Sequence, residues 1–120
     1  MKISNRPTAE VFNEYLVLAQ KNDIQTDINR NFSADCVLLT SYGIFKNHQG
    51  VKEAAKLLEK QIGRTTYKYN TKMIEGDIAF LEWSAEGKNV HIDDGADTFL
   101  IRNGLIEIMT IHYTLTFYNR

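Results

Sequence analysis

The strongest candidate for a chemical role is Asp97, a carboxylate near the start of an otherwise apolar hairpin. Residues 94–117 read DGADTFLIRNGLIEIMTIHYTLTF, which predicts a strand, a turn and a long strand. Burying a carboxylate costs several kcal/mol unless the group is neutralised or well hydrogen-bonded. Two interpretations of Asp97 therefore stay open: it accepts a hydrogen bond from a loop amide at the mouth of the sheet, or it is a reactive group in a pocket.

The turn in IRNGL decides which side chains accompany Asp97, and two registers compete. A two-residue Asn-Gly turn pairs Arg102 with Leu105. On the face of Asp97 it places Ile106, Ile108, Thr110 and His112. A three-residue turn with Gly104 in a bulge shifts the parity of the second strand. On the face of Asp97 it places Phe99, Ile101, Leu105, Met109, Ile111, Tyr113, Leu115 and Phe117. We prefer the second register because it separates apolar from polar side chains better.

A second carboxylate, Glu82, is expected in the same pocket. In IAFLEWSAE, Phe80 and Glu82 share one face of a strand, and we expect this face to turn inward. Two carboxylates in one apolar pocket raise at least one pKa toward neutrality. Glu82 is therefore the first candidate for a base, although a position at the rim or an ion pair with a lysine would also account for it.

Two histidines are weaker candidates for the base. His91 is in phase with Asp97 if no bulge intervenes near Gly95; otherwise it is an exposed histidine near the mouth of the barrel. His112 belongs to the residue type that most often serves as a base in enzymes. The preferred register nevertheless places His112 on the outer face of the sheet, where we expect a surface or dimer-interface role.

Other kinds of site have little support. The three histidines and the single cysteine are dispersed without the spacing of metal ligands, so no metal site is expected. Cys36 begins an apolar strand, where a small buried filler is the expected role. No glycine-rich phosphate loop is present, and we expect no cofactor.

Length and charge narrow the class of protein. A chain of 120 residues fits one domain, taken as 1–120, with room for a core and a cavity. Its 14 basic and 15 acidic residues are scattered, so nucleic acid is not an expected partner. MKISNRPTAE lacks the apolar run of a signal peptide, one cysteine cannot form an internal disulfide, and no stretch approaches the ~20 apolar residues of a membrane span. We expect a cytoplasmic protein with no membrane partner.

The N-terminal half has helical periodicity. RPTAEVFNEYLVLAQKND predicts a first helix with Tyr15 on its buried stripe. DIQTDINRNF predicts a shorter helix capped by Asp23, with Ile24, Ile28 and Phe32 inward. After a short strand and bend in CVLLTSYGIF, HQGVKEAAKLLEKQI predicts a third helix that stops at Gly63.

The C-terminal half changes to the period of strands. YKYNTKM alternates, and IAFLEWSAE is apolar on both faces, which predicts a central strand covered on both sides. Two more strands are predicted over 90–102 and 105–118. Helices followed by antiparallel strands are typical of an α+β fold in which the helices gather on one face of a curved sheet.

Taken together, these stretches resemble the nuclear transport factor 2-like superfamily, in particular its SnoaL-like and ketosteroid isomerase-like branch. FNEYLVLAQKNDI, NFSADCVLLTSYGIF, HQGVKEAAKLL and DTFLIRNGLIEIMTIHY occur in the order and spacing of that family. The resemblance implies a cone-shaped barrel, in which a strongly curved, mixed, mostly antiparallel sheet wraps around the N-terminal helices and encloses an apolar cavity. It also implies a homodimer joined through the outer face of the sheet.

The resemblance extends to particular residues. Tyr15 falls at the position of the oxyanion-hole tyrosine of ketosteroid isomerase-like proteins, and Asp97 at that of the neighbouring protonated aspartic acid. SnoaL-like cyclases likewise place a catalytic acid there. Thr40 stands where the isomerases carry their base, and a threonine cannot take a proton from carbon near neutral pH. The histidine of the cyclases has no counterpart in LEWSAEG, so steroid isomerisation by the usual mechanism is not expected.

The sequence therefore predicts a pocket for a small apolar molecule, with Tyr15 and Asp97 as donors to an oxygen and Glu82 as the base of an acid-base enzyme. The side chains expected to line the pocket are Phe80, Phe99, Met109, Ile111, Tyr113 and Thr40. Two alternatives remain. One is a noncatalytic binding protein that uses the same cavity. The other is an interaction module that works through the outer residues Thr110, His112, Thr114 and Thr116.

Overall fold

Three helices account for most of the N-terminal half of the structure, a computed structural model that describes residues 6–118. The helices are α1 (Thr8–Gln20), α2 (Ile24–Asn31) and α3 (Asn47–Ile62). Their ends follow local signals. The Asp23 side chain caps α2 by accepting a hydrogen bond from the backbone N–H of Thr26 at 3.4 Å. At the other end of the helical region, α3 stops at Gly63, whose φ of 83° suits glycine.

Seven strands form a single mixed sheet. The strands are β1 (Phe32–Thr40), β2 (Gly43–Lys46), β3 (Tyr67–Glu75), β4 (Ile78–Glu86), β5 (Val90–Arg102), β6 (Leu105–His112) and β7 (Thr116–Phe117). Their order is β2-β1-β6-β5-β4-β3, β7 pairs with β5, and only β1 and β6 run parallel among the described pairs. The predicted α+β fold is confirmed. The sheet does not close into a barrel, because β2 and β3 remain as its edges.

The core fills the space between the helices and one face of the sheet, here called the inner face. Alternate residues of β4 and β5 supply much of it, including the fully buried Ala79 and Phe99. From the helical side, Phe12 packs edge-on against Phe99, with ring centroids 5.2 Å apart. The outer face of β4 is exposed at Ile78 and Glu82, so the prediction of a strand covered on both sides is wrong.

The β5–β6 hairpin combines the two registers that the sequence allowed. Asn103 and Gly104 both have positive φ and form a two-residue turn that pairs Arg102 with Leu105. The predicted three-residue turn is therefore wrong. A bulge at Glu107 follows, where the register shifts by one residue between the two strands.

Because of this bulge, the residues of β6 beyond it face the side that we predicted, although the prediction had placed the bulge in the turn. Asp97 lies opposite Ile111, and Phe99 lies opposite Met109, so the expected inner-face neighbours of Asp97 are confirmed. Two positions differ from the expected inner face: Ile106, before the bulge, is fully buried in place of Leu105, and Phe117 is exposed. The last predicted strand is also interrupted at 113–115 and resumes as β7.

Candidate functional site

A cavity of about 120 Å³ opens between the helices and the inner face of the sheet. All three helices and strands β1 to β6 contribute to its walls, which are mostly apolar. Its volume is close to that of the ~150 Å³ apolar cavity that admits benzene in another protein. The cavity is therefore of a size for one small ring rather than for a large fused-ring molecule.

Asp97 is the acidic group of the sheet wall, and it has a single hydrogen-bond donor among the described residues. Its side chain is only 4% exposed. The Trp83 indole N–H donates to Asp97 Oδ1 at 3.1 Å. Burial raises the pKa of the Asp97 carboxyl from its ordinary value of 3.8 to about 7, and the hydrogen bond from Trp83 acts in the opposite direction. A large fraction of Asp97 is therefore protonated at neutral pH and can donate a hydrogen bond.

The Trp83 side chain depends on a glycine across the sheet. Trp83 pairs with Gly95, and a Cβ at position 95 would lie 2.2 Å from two atoms of the indole ring. Only glycine leaves room for the ring at this place. The pair therefore brings the indole N–H to Asp97.

Four tyrosines share the cavity with Asp97: Tyr15, Tyr67, Tyr69 and Tyr113. Burial raises the pKa of each phenol, and the negative charge of Asp97 raises it further. All four phenols therefore stay protonated at neutral pH and act as hydrogen-bond donors.

Two of the four phenols are already committed and two are available. The Tyr69 hydroxyl donates to the Leu16 carbonyl at 2.8 Å, and the Tyr113 hydroxyl donates to Gln61 Oε1. The hydroxyls of Tyr15 and Tyr67 donate to no residue that the structure describes. They line the cavity and are free to bind a ligand.

Tyr15 is held by aromatic packing, which leaves its hydroxyl uncommitted. Its ring makes edge contacts with Phe99 and Phe32, at centroid distances of 5.0 and 6.2 Å. Phe99 was expected to line the pocket itself. It instead lies beneath Tyr15 as a core residue and does not line the cavity.

A third polar group of the cavity, Asp27, was missed by the sequence analysis. It lies on α2, is only 3% exposed and lines the cavity. Asn31, one helical turn later, donates its amide to Asp27 Oδ1 at 2.7 Å. Burial raises the pKa of Asp27 to about 7, partly offset by the bond from Asn31 and reinforced by the charges of Glu14 and Asp23. The signal was present: Asp27 follows the inward-facing Ile24 by three residues, a spacing that places both on one face of the helix.

Comparison with known proteins identifies the fold. No family model matches the chain and no curated protein is found as a relative. Solved structures do match. A candidate polyketide cyclase from Sinorhizobium meliloti is 17% identical, with a TM-score of 0.71 over 85% of this chain and 93% of that chain. A nuclear transport factor 2-like protein of unknown function from Burkholderia xenovorans is 13% identical, with a TM-score of 0.73 over 94% and 87%.

A candidate ketosteroid isomerase from Kribbella flavida is 9% identical, with a TM-score of 0.74 over 94% of this chain and 82% of that chain. This chain has the nuclear transport factor 2-like fold. The predicted resemblance is confirmed at the level of structure. Such low identities establish the shared fold and leave the chemistry to the residues of the cavity.

Within this nuclear transport factor 2-like fold, most of the expected pocket residues line the cavity. They are Tyr15, Asp97, Thr40, Met109, Ile111 and Tyr113. Glu82 and Phe80 are exceptions, because Leu81 rather than either of them lies opposite Asp97. Both face outward, and the expected inward position of Glu82 is wrong. Alternation alone could not decide which of two apolar faces of β4 packs against the helices.

The histidines also lie outside the cavity. A bulge at residues 93–94 of β5 breaks the phase between His91 and Asp97, and His91 contacts Asp93 at 2.9 Å instead. His112 lies on the outer face as predicted, 3.7 Å from Asp94.

In the described part of the chain, no group of three acidic, histidine or cysteine side chains could hold a metal ion. None of the helices over residues 6–118 is long and apolar enough to cross a bilayer.

Proposed function

We propose that this protein is an enzyme that binds a small apolar carbonyl compound and catalyses proton transfer at the carbon next to the carbonyl. The observation that carries the proposal is the Asp97 carboxyl, buried with a pKa of about 7 in the same apolar cavity as the uncommitted hydroxyl of Tyr15. A buried carboxyl that has one donor and no cation beside it among residues 6–118 is costly as a purely structural group. It is well suited to donate a hydrogen bond to a ligand oxygen.

The chemistry follows from the two donors. The carbonyl oxygen of a ketone accepts hydrogen bonds from the Tyr15 hydroxyl and from protonated Asp97. When a base removes a proton from the neighbouring carbon, the electron pair of the C–H bond forms a C=C bond and the π pair of the carbonyl moves onto its oxygen, which gives an enolate. Donors held in place for this negative oxygen each contribute about 3 kcal/mol to the transition state.

Two further observations support a carbonyl substrate of modest size. The cavity of about 120 Å³ matches a single ring, and its walls are mostly apolar. Two structural neighbours are named as a candidate polyketide cyclase and a candidate ketosteroid isomerase, and both names denote chemistry on carbonyl compounds. Thr40, at the position of the isomerase base, offers no proton acceptor for a steroid reaction of the usual kind.

The test is deuterium exchange at the carbons that flank the carbonyl of cyclohexanone, followed by proton NMR in D2O. Wild type is expected to accelerate exchange over the protein-free background. Tyr15→Phe removes one donor and should lower the rate about 100-fold. Tyr118→Phe, which alters an exposed tyrosine outside the cavity, is the matched control. No acceleration by wild type, or equal rates for wild type and Tyr15→Phe, would sink the proposal.

We also propose that two copies associate through the outer face of the sheet. Neighbouring strands place one continuous row of side chains across this face. In order, the row reads Lys46, Val37, Ile108, Leu100, Ile78 and Glu75. Its middle is apolar, with Ile108 40% exposed. The row ends in opposite charges at the two edges of the sheet.

The charged ends favour a second copy as the occupant. A two-fold axis parallel to the strands reverses the row, so that Lys46 of one copy meets Glu75 of the other while the apolar residues pack together.

A cytoplasmic location is also proposed, since the one cysteine, Cys36, is buried and free.

A further inference from the structure

We propose that Asp27 is the proton acceptor of the cavity, which removes the proton from the substrate carbon while Tyr15 and Asp97 bind the substrate oxygen. This assignment rests on the proposed function and adds the base that it requires. It differs from both bases expected from the sequence, because Glu82 and His91 lie outside the cavity.

The fold places Asp27 and Asp97 on different walls of one cavity. Asp97 comes from β5 in the sheet, whereas Asp27 comes from α2 in the helical layer. Both carboxyls line the cavity and both are almost fully buried. A substrate lying between the layers can therefore present its oxygen to one carboxyl and a C–H bond to the other.

A structural role does not account for Asp27. Buried carboxylates that stabilise a fold are held by cations or by several donors. Among the described residues, the Asp27 carboxyl forms no ion pair, and its only donor is the Asn31 side-chain amide. The neighbouring charges that affect it, Glu14 and Asp23, are both negative. The surroundings of Asp27 therefore disfavour its ionised form, and its carboxyl lies at the wall of the cavity.

Asn31 is suited to support a group that changes its protonation state. Its side chain is fully buried, and its Oδ1 has no hydrogen-bond partner among the described residues. As it stands, the amide donates to an ionised Asp27. Turning the amide by half a rotation presents Oδ1 to the same carboxyl, so that a protonated Asp27 can donate to it. Asn31 can therefore pair with both forms of the base.

Tyr15 and Tyr69 are each affected by the charges of both carboxyls. After burial, the charges of both Asp97 and Asp27 contribute to the raised pKa of each of these phenols. The two carboxyls thus act on the same part of the cavity. Another carboxylate at the cavity wall, Glu59, is exposed and forms an ion pair with Arg64 at 2.8 Å, which makes it a poor competitor for the role.

The proposed step balances as follows. The Asp27 carboxylate takes the proton from the carbon next to the carbonyl, and the C–H electron pair forms the C=C bond of the enolate as the C=O bond becomes C–O⁻. Tyr15 and protonated Asp97 donate to that oxygen without losing their protons. Asp27 then returns a proton to the same or to a conjugated carbon, so no co-reactant is needed.

The decisive experiment compares Asp27→Asn with Asp35→Asn, an exposed aspartate that serves as the matched control. Cyclohexanone exchange in D2O reports the base, and the thermal shift caused by phenol reports the oxygen site. Asp27→Asn is expected to slow exchange at least 100-fold while phenol stabilises it as much as wild type. If Asp27→Asn exchanges cyclohexanone protons as fast as wild type, the assignment of Asp27 as the base is overturned and the proposed function stands. Absence of exchange in wild type overturns the proposed function and the base together.

Chemical rescue separates a proton acceptor from a positioning residue. Asp27→Ala removes the carboxyl and leaves space for a small anion. Added formate should restore part of the lost exchange in Asp27→Ala and should have no effect on Tyr15→Phe. A folded Asp27→Ala variant that binds phenol and gains nothing from formate would contradict the assignment.

Discussion

The Trp83 indole N–H donates to Asp97 Oδ1 across 3.1 Å inside the protein, and this bond is the only one that the Asp97 carboxyl accepts from the described residues. It stabilises the ionised form of the carboxyl and so limits how far burial raises its pKa. The bond exists because Gly95 leaves room for the indole on the facing strand. Burial therefore raises the pKa of Asp97, and a tryptophan held in place opposite a glycine limits that rise.

Gly95→Ala tests this arrangement. The added Cβ would lie 2.2 Å from the indole ring, so the ring must move. We expect a loss of about 1–3 kcal/mol in the free energy of unfolding. A further rise in the pKa of Asp97 is also expected, because its donor is displaced. Urea denaturation followed by fluorescence of the single tryptophan measures the first effect. Ala96→Ser, which points to the outer face, should change little; unchanged stability in Gly95→Ala would contradict the close packing.

Stability is expected to fall as the pH rises. A carboxyl whose pKa is raised by folding binds its proton more tightly in the folded state than in the unfolded state. Its contribution to stability is complete below the pKa of the unfolded state and is lost as the pH rises to the pKa of the folded state. For Asp97, a rise from 3.8 to about 7 corresponds to about 4 kcal/mol lost between about pH 4 and pH 7.

Asp97→Asn should remove the part of this dependence that Asp97 contributes, while the part contributed by Asp27, whose pKa is also raised to about 7, remains. The variant is expected to be more stable than wild type at pH 8, although it is less active in cyclohexanone exchange. Denaturation at pH 5 and pH 8 measures the difference, with the exposed Asp35→Asn as control. If Asp97→Asn destabilised the protein equally at both pH values, the carboxyl would have a structural rather than a titrating role.

The pH profile of exchange should be bell-shaped, with a maximum near pH 7. Asp27 must be ionised to accept a proton and Asp97 must be protonated to donate, and the pKa of each is about 7. The charged neighbours of Asp27 are Glu14 and Asp23, and Tyr15 and Tyr69 face both carboxyls. The acidic limb therefore reports ionisation of Asp27, and the alkaline limb reports ionisation of Asp97.

The two limbs of this profile can be separated. Asp97→Asn cannot ionise, so the decline at alkaline pH should disappear while the rise at acidic pH remains. Initial rates of cyclohexanone exchange between pH 5 and pH 9 provide the measurement. An alkaline limb that persists unchanged in Asp97→Asn would mean that another group controls it.

Association through the outer face is tested by charge. Ile108→Lys places a cation in the middle of the apolar row and should shift the protein toward monomer in sedimentation velocity. Val17→Lys, at an apolar residue of α1 that is 52% exposed, is the matched control. Glu75→Lys should weaken association, and adding Lys46→Glu should restore it. A wild type that is monomeric at high micromolar concentration would contradict the proposed dimer.

Local patterns were sufficient to predict the helices, most strands and the fold. The Asp23 cap, the Gly63 stop and the change of period after α3 are properties of neighbouring residues, and the structure follows them closely. The whole-chain resemblance likewise predicted that Tyr15 and Asp97 line one cavity, since it relies on the order and spacing of the elements.

What the sequence determined by itself is the set of elements, because helix caps and hydrophobic periods act between neighbours in the chain. Tertiary packing alone decided which face of each element reaches the cavity. Bulges at Glu107 and at 93–94 reverse the parity of strands, and they brought Met109 beside Phe99 and took His91 away. Glu82 lies outside the cavity and Asp27 inside it for the same reason: a polar residue on an amphipathic or two-sided element is buried or exposed only once the neighbouring elements have packed against it.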